Sequence, residues 1–198
     1  WNLVGNGTEG EMSVATAFGD ASKVTSVWKW VTSGNNSALA YPAWAFYAPS
    51  LQDGGKAYAA AHGYDFLTTI TAGEGFWINA KGAFKATLPN AASVMSANFS
   101  SGGTHALRHG WNLISTGDGV TPAGFNSSFT NTPPTAGAIP LNITTLWSWS
   151  NAQSLWYFWA PSLVNSGGLT NYLGSKGYLD FSTIPNVIPG TLSPTTGF

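Results

Sequence analysis

The sequence contains no cysteine and very few charged residues. Charged side chains make up 8% of the 198 residues, against about 25% in an average soluble protein. Without cysteine the chain can form neither disulfides nor thiolate metal sites, although export is not excluded. Its seven lysines and arginines are spread along the chain and cannot neutralise a run of phosphates, so we expect no nucleic-acid partner. No apolar run approaches the ~18 residues of a membrane-spanning helix, so we expect no membrane insertion.

Aromatic and small polar residues take the place of charges. Hydrophobic residues make up 43% of the chain and include ten tryptophans and seven tyrosines. This is enough apolar side-chain area to offset the entropy of ordering, so we expect a folded chain. A surface of hydroxyls, amides and small residues lacks the charges that normally prevent association. It is typical of a protein that packs against copies of itself or against glycans.

The chain contains an ordered internal repeat, which decides its organisation. The segment Trp1–Val4 returns as Trp111–Ile114. Five further blocks return in the same order: Val27–Trp30 as Leu146–Trp149, Trp44–Leu51 as Trp156–Leu163, Gly63–Phe66 as Gly177–Phe181, Thr69–Ile70 as Thr183–Ile184 and Gly75–Phe76 as Gly197–Phe198. Paired tryptophans in unbroken order indicate a duplication with insertions, among them 131–139 and 185–192.

The repeat predicts two tandem modules of α+β class, mostly β. Residues 1–88 form the first Trp-rich module, 89–109 a linker with an edge strand, and 110–198 the second module. Each module is expected to be a small antiparallel sheet with one or two short helices, related to the other by a pseudo-twofold axis or by translation.

Hydrophobic patterning places the elements of the first module. Helices are expected at Glu11–Phe18 and Gly55–His62, each ended by a glycine. The second and third strands form a hairpin whose Gly-Asn-Asn tip lies within 32–39. The strands are expected at Trp1–Val4, Val24–Val31, Tyr41–Ala48, Phe66–Ile70, Gly75–Ala80 and Ala83–Leu88.

These motifs together resemble a known family of repeats. Trp-Asn-Leu-Val, the Val-Trp-x-Trp pair, Trp-x-Phe-Tyr-x-Pro and Gly-Glu-Gly-Phe-Trp-Ile-Asn are similar to the "GWNL…GFWVN" modules of large exported proteins of bacteria and archaea. The resemblance covers nearly the whole chain, twice. It implies an extracellular, surface-associated and non-catalytic module, without implying a particular ligand.

A glycine motif near the start has the spacing of a dinucleotide site. Residues 5–10 match G-x-G-x-x-G after a strand and before a helix, where a pyrophosphate could bind. The second copy, residues 115–120, loses the pattern, and neither an acidic residue about 20 positions later nor a βαβ unit follows. We therefore interpret the motif as a turn and expect no cofactor.

Candidate metal-binding and catalytic residues are equally sparse. His105 and His109 have the i,i+4 spacing of two ligands on one helix face, but they lie among glycines without a third ligand, so we expect them to be solvated. The chain lacks G-x-S-x-G, and its only acidic residues shared by both copies are Asp65 and Asp180, which are typical of a cap or Asx-turn. We expect no catalytic residues and no metal.

The aromatic residues are the richest signal. Both indoles of each Trp-x-Trp strand project to one face, which we expect to be the core because a duplicated core would keep them. Possible glycan contacts are instead expected at Tyr41, Tyr47 and Trp159, beside the repeated Ala-Pro-Ser loop. The strand-like ends at Trp1 and Phe198 suggest that the natural chain continues, or that strands pair between chains there.

The leading functional hypothesis is a structural or adhesive repeat of a bacterial cell surface; its more specific form is a subunit of a self-assembling filament or surface layer. Its partners would be copies of itself, other surface proteins or glycans, and its location extracellular. The alternative is a carbohydrate-binding module that uses exposed aromatic side chains. An enzyme is the third and least favoured class.

Overall fold

The computed structural model describes residues 1–32, 39–129, 143–186 and 190–198. The expected hairpin tip at 34–36 and the insertion at 131–139 lie outside these residues, as does part of the insertion at 185–192. Within them the fold is α+β with strands predominating, as predicted. The strands are β1 (Asn2–Asn6), β2 (Met12–Ser13), β3 (Val24–Val31), β4 (Ala43–Tyr47), β5 (Asp65–Phe66), β6 (Thr69–Ile70), β7 (Glu74–Ala80), β8 (Leu146–Ser150), β9 (Leu155–Trp159) and β10 (Leu179–Asp180).

Five short α-helices accompany the strands. They are α1 (Val14–Phe18), α2 (Lys56–Ala61), α3 (Pro122–Ser127), α4 (Pro161–Asn165) and α5 (Leu169–Lys176). The second half of the described chain therefore has three α-helices, more than the one or two expected. The start of α3 follows from its sequence, because the Thr121 hydroxyl accepts a hydrogen bond from the Gly124 N–H at 3.0 Å and a proline occupies the first turn.

The first half forms a five-stranded sheet in the order β1-β7-β3-β4-β5. All its pairs are antiparallel except β4 with β5. In this register Trp28 lies opposite Trp77 on one side and opposite Phe46 on the other. The two-residue strands β2 and β6 pair separately.

The second half forms a three-stranded sheet in the order β10-β9-β8. Its strands correspond to β5, β4 and β3 of the first sheet, because Trp147 lies opposite Phe158 as Trp28 lies opposite Phe46. The correspondences of the sequence repeat thus relate the two sheets strand by strand.

Each sheet packs one face on its own core. The first core contains Val27, Ala45, Tyr47, Phe76 and Ile78 together with helix α1. The second contains Leu146, Tyr157, Trp159, Phe181 and Phe198, with Phe125 from α3. A smaller apolar cluster lies on the opposite face of each sheet: Phe46, Ala48 and Ala59 in the first half, and Phe158, Ala160 and Leu173 in the second.

Three local expectations are wrong. Residues 83–88, all within the described chain, form no strand, because the edge of β1 is already bridged to Thr196. The helix expected at 11–18 begins only at Val14, where the Ser13 side chain caps it. The segment 89–109 forms no extended strand: Ser93 makes a single antiparallel β-bridge to Thr8, and a 3₁₀ helix follows at Ser96–Phe99.

The segment 89–109 is also more than a connection. Val94 and Phe99 are buried in the second core. The backbone of Val94 bridges the two halves, since its N–H donates to Gly7 O at 2.9 Å and its carbonyl accepts from Gly117 N–H at 2.8 Å. The module boundaries at 88 and 110 stay a prediction.

The two halves contact each other reciprocally. Val4 forms a β-bridge with Thr196, and its repeat counterpart Ile114 forms one with Glu74, the counterpart of Thr196. An exchange of equivalent residues across a contact is the mark of a twofold arrangement. Gly5 lies close to its own counterpart Ser115, where a Cβ on the glycine would be 2.2 Å from the serine Cβ.

The C-terminal residue pairs within the second half, as Phe76 pairs with Val4 in the first. The N–H of Phe198 donates to Ile114 O at 2.9 Å, and the carbonyl of Phe198 accepts from Ile114 N–H at 2.8 Å. Phe198 thus has a backbone partner within the chain, and strand pairing between chains at Trp1 and Phe198 stays a prediction.

Candidate functional site

Two of the three expected glycan contacts are buried in the cores. Tyr47 is 7% exposed and Trp159 is 8% exposed. Both project to the core face of their strands: Tyr47 packs on Phe66, and Trp159 belongs to the second core. The expectation that these rings are open to a ligand is wrong. The third, Tyr41, is half-buried and its hydroxyl donates to the Asp65 carboxylate at 2.8 Å.

The face carrying the paired tryptophans is not the main core. Trp28 and Trp30 lie on the other side of β3 from Val27, and both are only half-buried. Trp44 is 37% exposed and Trp1 is 52% exposed. The expectation that the repeated tryptophans form the core is therefore wrong, because the smaller alternating residues take that side.

An aromatic cluster is built on this face in each half, with matching geometry. The Trp28 and Phe46 rings are 4.6 Å apart between centroids, as are those of Trp147 and Phe158. The Trp30 and Trp44 centroids are 5.2 Å apart. Their repeat counterparts are separated by the same distance: Trp149 and Trp156, at 5.2 Å.

One tryptophan without a counterpart in the chain joins the two clusters. Trp77 on β7 lies 6.1 Å from Trp149 and 5.7 Å from Trp156, centroid to centroid. Trp1 packs edge-on against the same ring at 6.3 Å. Aromatic residues from both halves thus form one continuous surface.

This surface encloses an open cleft of about 510 Å³, which we call the aromatic cleft. A volume of this size is typical of a small-ligand or peptide subsite. The side chains that line it are all aromatic: Trp1, Trp28, Trp44, Tyr64, Trp77, Trp149 and Trp156. Among the described residues no charged side chain lines it.

The indole N–H groups on this face differ in their hydrogen bonding. The indole N–H of Trp28 donates to Ser26 Oγ at 3.0 Å, and that of Trp147 donates to Thr145 Oγ1 at 3.0 Å. The N–H groups of Trp30 and Trp149 are buried and find no acceptor within the described parts of the chain. A buried N–H without an acceptor costs about 1–3 kcal/mol, and the same cost recurs at equivalent positions.

Helices α2 and α5 lie on the same side of the sheets as the cleft and border it. Tyr58 of α2 packs on Phe46 at 5.1 Å, and Tyr172 of α5 packs on Phe158 at 5.1 Å. Each helix therefore covers the outer end of its sheet. The rings nearer the contact between the halves stay accessible.

A buried ion pair lies on the opposite face of the first sheet. Lys29, 7% exposed, places its Nζ 2.7 Å from Glu74 Oε2 and donates to Thr69 O at 3.2 Å. The Thr71 N–H donates to the same carboxylate oxygen at 2.6 Å. Glu74 Oε2 thus joins β3 to the turn before β7, and we assign the pair a structural role.

At two glycines of the G-x-G-x-x-G motif, neighbouring residues fill the space that a side chain would take. A Cβ on Gly7 would be 2.6 Å from Pro194 Cα, and one on Gly10 would be 2.4 Å from Pro89 Cβ. Asn6, between Gly5 and Gly7, is fully buried and donates to Gly10 O at 2.7 Å and to Thr71 O at 3.1 Å. The motif is therefore a turn at the contact between the halves, held in place by packing and by hydrogen bonds.

The two histidines have different surroundings. The Nε2 atom of His105 lies 3.2 Å from Glu9 Oε2, whereas His109 is exposed. Among the described residues no group of three or more His, Cys, Asp or Glu side chains could hold a metal ion. Asp180 acts as the expected cap, accepting from the Ser182 N–H at 2.8 Å.

A second cavity, of about 540 Å³, lies behind β1 and β7. Its walls include Met12, Phe18, Phe76 and Leu88, which pack in or against the first core. It extends that core outward and brings no titratable cluster together.

Sequence reasoning alone misses the residues that join the clusters. It places Trp77 in an alternating strand and Trp1 at a chain end, where it expects strand pairing between chains, and assigns neither residue to a ligand-binding site. The signal in the sequence is that Trp77 and Trp28 lie within strands and that Trp1 directly precedes one. Only the strand order β1-β7-β3 brings these positions together as one surface.

Within the described residues, no helix has the length and apolar character needed to cross a membrane. Comparison with known proteins adds no relative: no protein-family model, no curated protein and no solved structure matches this chain.

Proposed function

We propose that this chain is a non-enzymatic adhesive module of an exported cell-surface protein, and that the aromatic cleft is the surface by which it adheres. The observation that carries the proposal is the cleft itself, a set of seven aromatic side chains left partly open to solvent. Large exposed apolar patches on a folded protein are usually interaction sites.

The chemistry of the cleft suits binding better than catalysis. Tryptophan and tyrosine are the residues that most often dominate binding energy at interfaces. Catalysis needs acids, bases or nucleophiles with matched pKa values, and the cleft wall offers none beyond the Tyr64 hydroxyl. The low charge of the chain also removes the repulsion that would keep two surfaces apart.

The test is retention of the labelled protein on the surface of cells that produce it. The variants Trp44→Ala and Trp156→Ala each remove one ring from equivalent positions of the cleft. The matched control is Trp111→Ala, because Trp111 is the repeat counterpart of Trp1, is 68% exposed and lies outside the cleft.

We expect either cleft variant to lower retention by about tenfold, the effect of losing roughly 1.4 kcal/mol at a binding hot spot. The control should be retained like the unchanged protein. Equal retention of all three variants would remove the cleft from the function. Sedimentation over a range of concentrations distinguishes adhesion to copies of the same chain from adhesion to other surface molecules.

The second candidate is a carbohydrate-binding module. The observation in its favour is the exposure of Trp1 and Trp44, whose rings are open enough to stack on a sugar face. A panel of soluble oligosaccharides tests it directly, with the same cleft variants and the same control.

A further inference from the structure

We propose that the free edge of β8 accepts an extended strand from another protein chain, with the aromatic and aliphatic pattern of β7. The site lies in the second half, between β8 and residues 111–113. It is a second interaction surface, and the proposal does not depend on adhesion through the aromatic cleft. Comparison of the two repeat copies carries it, because the first half has a strand at the equivalent position.

In the first half, β7 fills the position between β1 and β3. Its residue Trp77 lies opposite Leu3 of β1 on one side and opposite Trp28 of β3 on the other. The next residue, Ile78, also has a partner in each of these strands. Both neighbours of β7 are therefore joined through it into one sheet.

The second half has both neighbours of this position but not the strand between them. The counterparts of Leu3 and Trp28 are Leu113 and Trp147. Among the residues that the structure describes, β8 pairs with β9 alone. Pairing on the other side reaches Ile114 with Phe198, the counterpart of Val4 with Phe76. An added strand would continue from this pair and pass between Leu113 and Trp147.

Side chains that border this position are more exposed than their counterparts in the first half. Leu3 is 8% exposed, whereas Leu113 is half-buried. Trp1 packs edge-on against Trp77 at 6.3 Å and is 52% exposed, whereas Trp111 is 68% exposed. An aromatic side chain at the first position of an added strand would cover Trp111 as Trp77 covers Trp1.

The twofold contact gives this aromatic side chain further partners in the other half. Trp77 reaches across to Trp149 and Trp156, at 6.1 and 5.7 Å between centroids. Their counterparts Trp30 and Trp44 would flank the equivalent ring of an added strand. Trp44 is 37% exposed, whereas Trp156 is half-buried. The difference follows because Trp77 packs on Trp156, and no described ring holds the equivalent place beside Trp44.

The edge determines the chemistry of the strand it can accept. Backbone N–H and C=O groups at a sheet edge bind an extended segment, and the side chains around them select its sequence. The sequence of β8, Leu-Trp-Ser-Trp-Ser, has neither the charges nor the proline that usually protect an edge. Because Ile78 is buried in the first core, an aliphatic residue should follow the aromatic one.

The strand must come from outside these 198 residues. The pattern Phe-Trp-Ile-Asn occurs once in the chain, and β7, which carries it, is already paired along both edges. A second copy therefore has no free strand of this kind to donate. The net charge of −1 offers little repulsion to an approaching chain, and we assign the strand to a separate protein.

The test is titration of the isotopically labelled full chain with the peptide Trp-Ile-Asn-Ala-Lys-Gly, a copy of residues 77–82, followed by NMR. We expect saturable binding, with chemical-shift changes at residues 111–113 and at Leu146 and Trp147. One control peptide has Ala in place of Trp, and another is N-methylated at the Ile amide. The first lacks the ring and the second lacks a backbone donor, so each should bind about three- to tenfold more weakly.

Variants of the protein locate the site. Trp111→Ala should weaken binding of the peptide about three- to tenfold. The control is Val164→Ala, at a 44% exposed position of α4, which should bind like the unchanged chain. A third variant carries the same six residues appended after Phe198. The appended strand should occupy the edge at high effective concentration and abolish binding of the free peptide.

Four results would overturn the proposal. Absence of saturable binding, or chemical-shift changes confined to other surfaces, would remove the site. Equal binding of the N-methylated peptide would show that side chains bind without strand pairing. Unchanged binding to the appended variant would place the peptide elsewhere. Stabilisation by the appended strand without binding of the free peptide would contradict a separate chain as donor. Because Trp111 lies outside the aromatic cleft, none of these results depends on the proposed adhesive function.

Discussion

Lys29 is a charged residue on the core-facing side of a strand, and its surroundings determine what its loss would do. Its ammonium group neutralises Glu74 across 2.7 Å. The Lys29→Met variant keeps the length of the side chain but leaves the carboxylate with the Thr71 N–H as its remaining strong partner. Removing one member of a buried pair costs about 3–5 kcal/mol; because the Glu74 side chain is 29% exposed, we expect the lower end, about 3 kcal/mol, in urea unfolding.

A double variant separates the charge effect from packing. In Lys29→Met/Glu74→Gln the neutral amide no longer needs the ammonium group, so we expect the double variant to be more stable than Lys29→Met alone. Lys85→Met is the control for an exposed lysine and should change stability by less than about 0.5 kcal/mol. If Lys29→Met were no more harmful than Lys85→Met, the ion pair would not stabilise the fold.

At the residue scale the sequence predicts which side chains share a face, but not which face is inward. Alternation correctly groups Trp28 with Trp30, and Val27 with Lys29. Trp28 and Trp30 form the larger and more apolar set, so size and hydrophobicity favour burial of the wrong side. The packing partners decide: α1 covers the Val27 side with Phe18, and α2 covers only part of the other.

At the element scale, equivalent cross-strand pairs in the two sheets each combine one large and one small side chain, but on opposite strands. In the first sheet the large Lys29 lies opposite the small Ala45; in the second the small Ser148 lies opposite the large Tyr157. The volume of each cross-strand pair is thereby kept similar, as close packing requires. The acid that partners Lys29 has also been replaced, since Thr196 is the repeat counterpart of Glu74.

This exchange predicts that Ala45→Tyr alone overpacks the first core. The same change should be tolerated when Lys29 and Glu74 are replaced together with it. With Lys29 in place, the added ring should cost about 1–3 kcal/mol. The triple variant Lys29→Ser/Ala45→Tyr/Glu74→Thr reproduces the second sheet and should recover most of that loss. Thermal unfolding of the single and triple variants checks it; a triple variant no more stable than the single one would show that the two cores are not interchangeable.

Elements with a strong pattern can be predicted from the sequence, and elements that depend on distant neighbours cannot. The pattern predicts a strand at Val24–Val31, where β3 is found, and the Ala-rich α2 lies within its predicted range. Residues 83–88 also have a strand composition. They form none because a strand needs an open edge, and the C-terminal segment, far away in sequence, already occupies the edge of β1.

At the scale of the whole molecule, the contact between the halves depends on a glycine. A Cβ on Gly5 would be 2.2 Å from Ser115 Cβ and 2.9 Å from Thr196 O. Gly5→Ala should therefore force the halves apart and cost about 1–3 kcal/mol. The control is Gly174→Ala in α5, where an added Cβ meets nothing within 4 Å, and which should stabilise the chain by about 0.5–1 kcal/mol.

A reciprocal change should rescue the contact. Gly5 and Ser115 are counterparts in the repeat, so Gly5→Ala/Ser115→Gly moves the side chain from one half to the other. We expect the double variant to recover most of the stability lost by Gly5→Ala, measured as the midpoint of urea unfolding. A double variant as unstable as the single one would mean that the clash lies with Thr196 O instead.

The twofold contact cannot be predicted from the sequence, although the repeat that underlies it can. Aligning Val4 with Ile114 shows that they are equivalent, but not that each bridges the other half. The same gap explains the candidate site: the tryptophans are visible as repeats, whereas the aromatic cleft exists only because Trp77 of one half reaches Trp149 and Trp156 of the other.

Because the halves are tied together by backbone hydrogen bonds, we expect them to unfold as one unit although each has its own core. The Gly5 N–H donates to Thr195 O at 3.1 Å and the Ser115 N–H donates to Gly73 O at 2.9 Å, so opening either half removes partners from the other. Phe198 is buried in the second core only, and Phe198→Ala should cost about 3–5 kcal/mol. Hydrogen exchange followed by mass spectrometry should then show protection falling in β3 and β7 of the first half together with β8 and β9 of the second. Loss of protection confined to β8 and β9 would instead show two independent folding units joined by a passive contact.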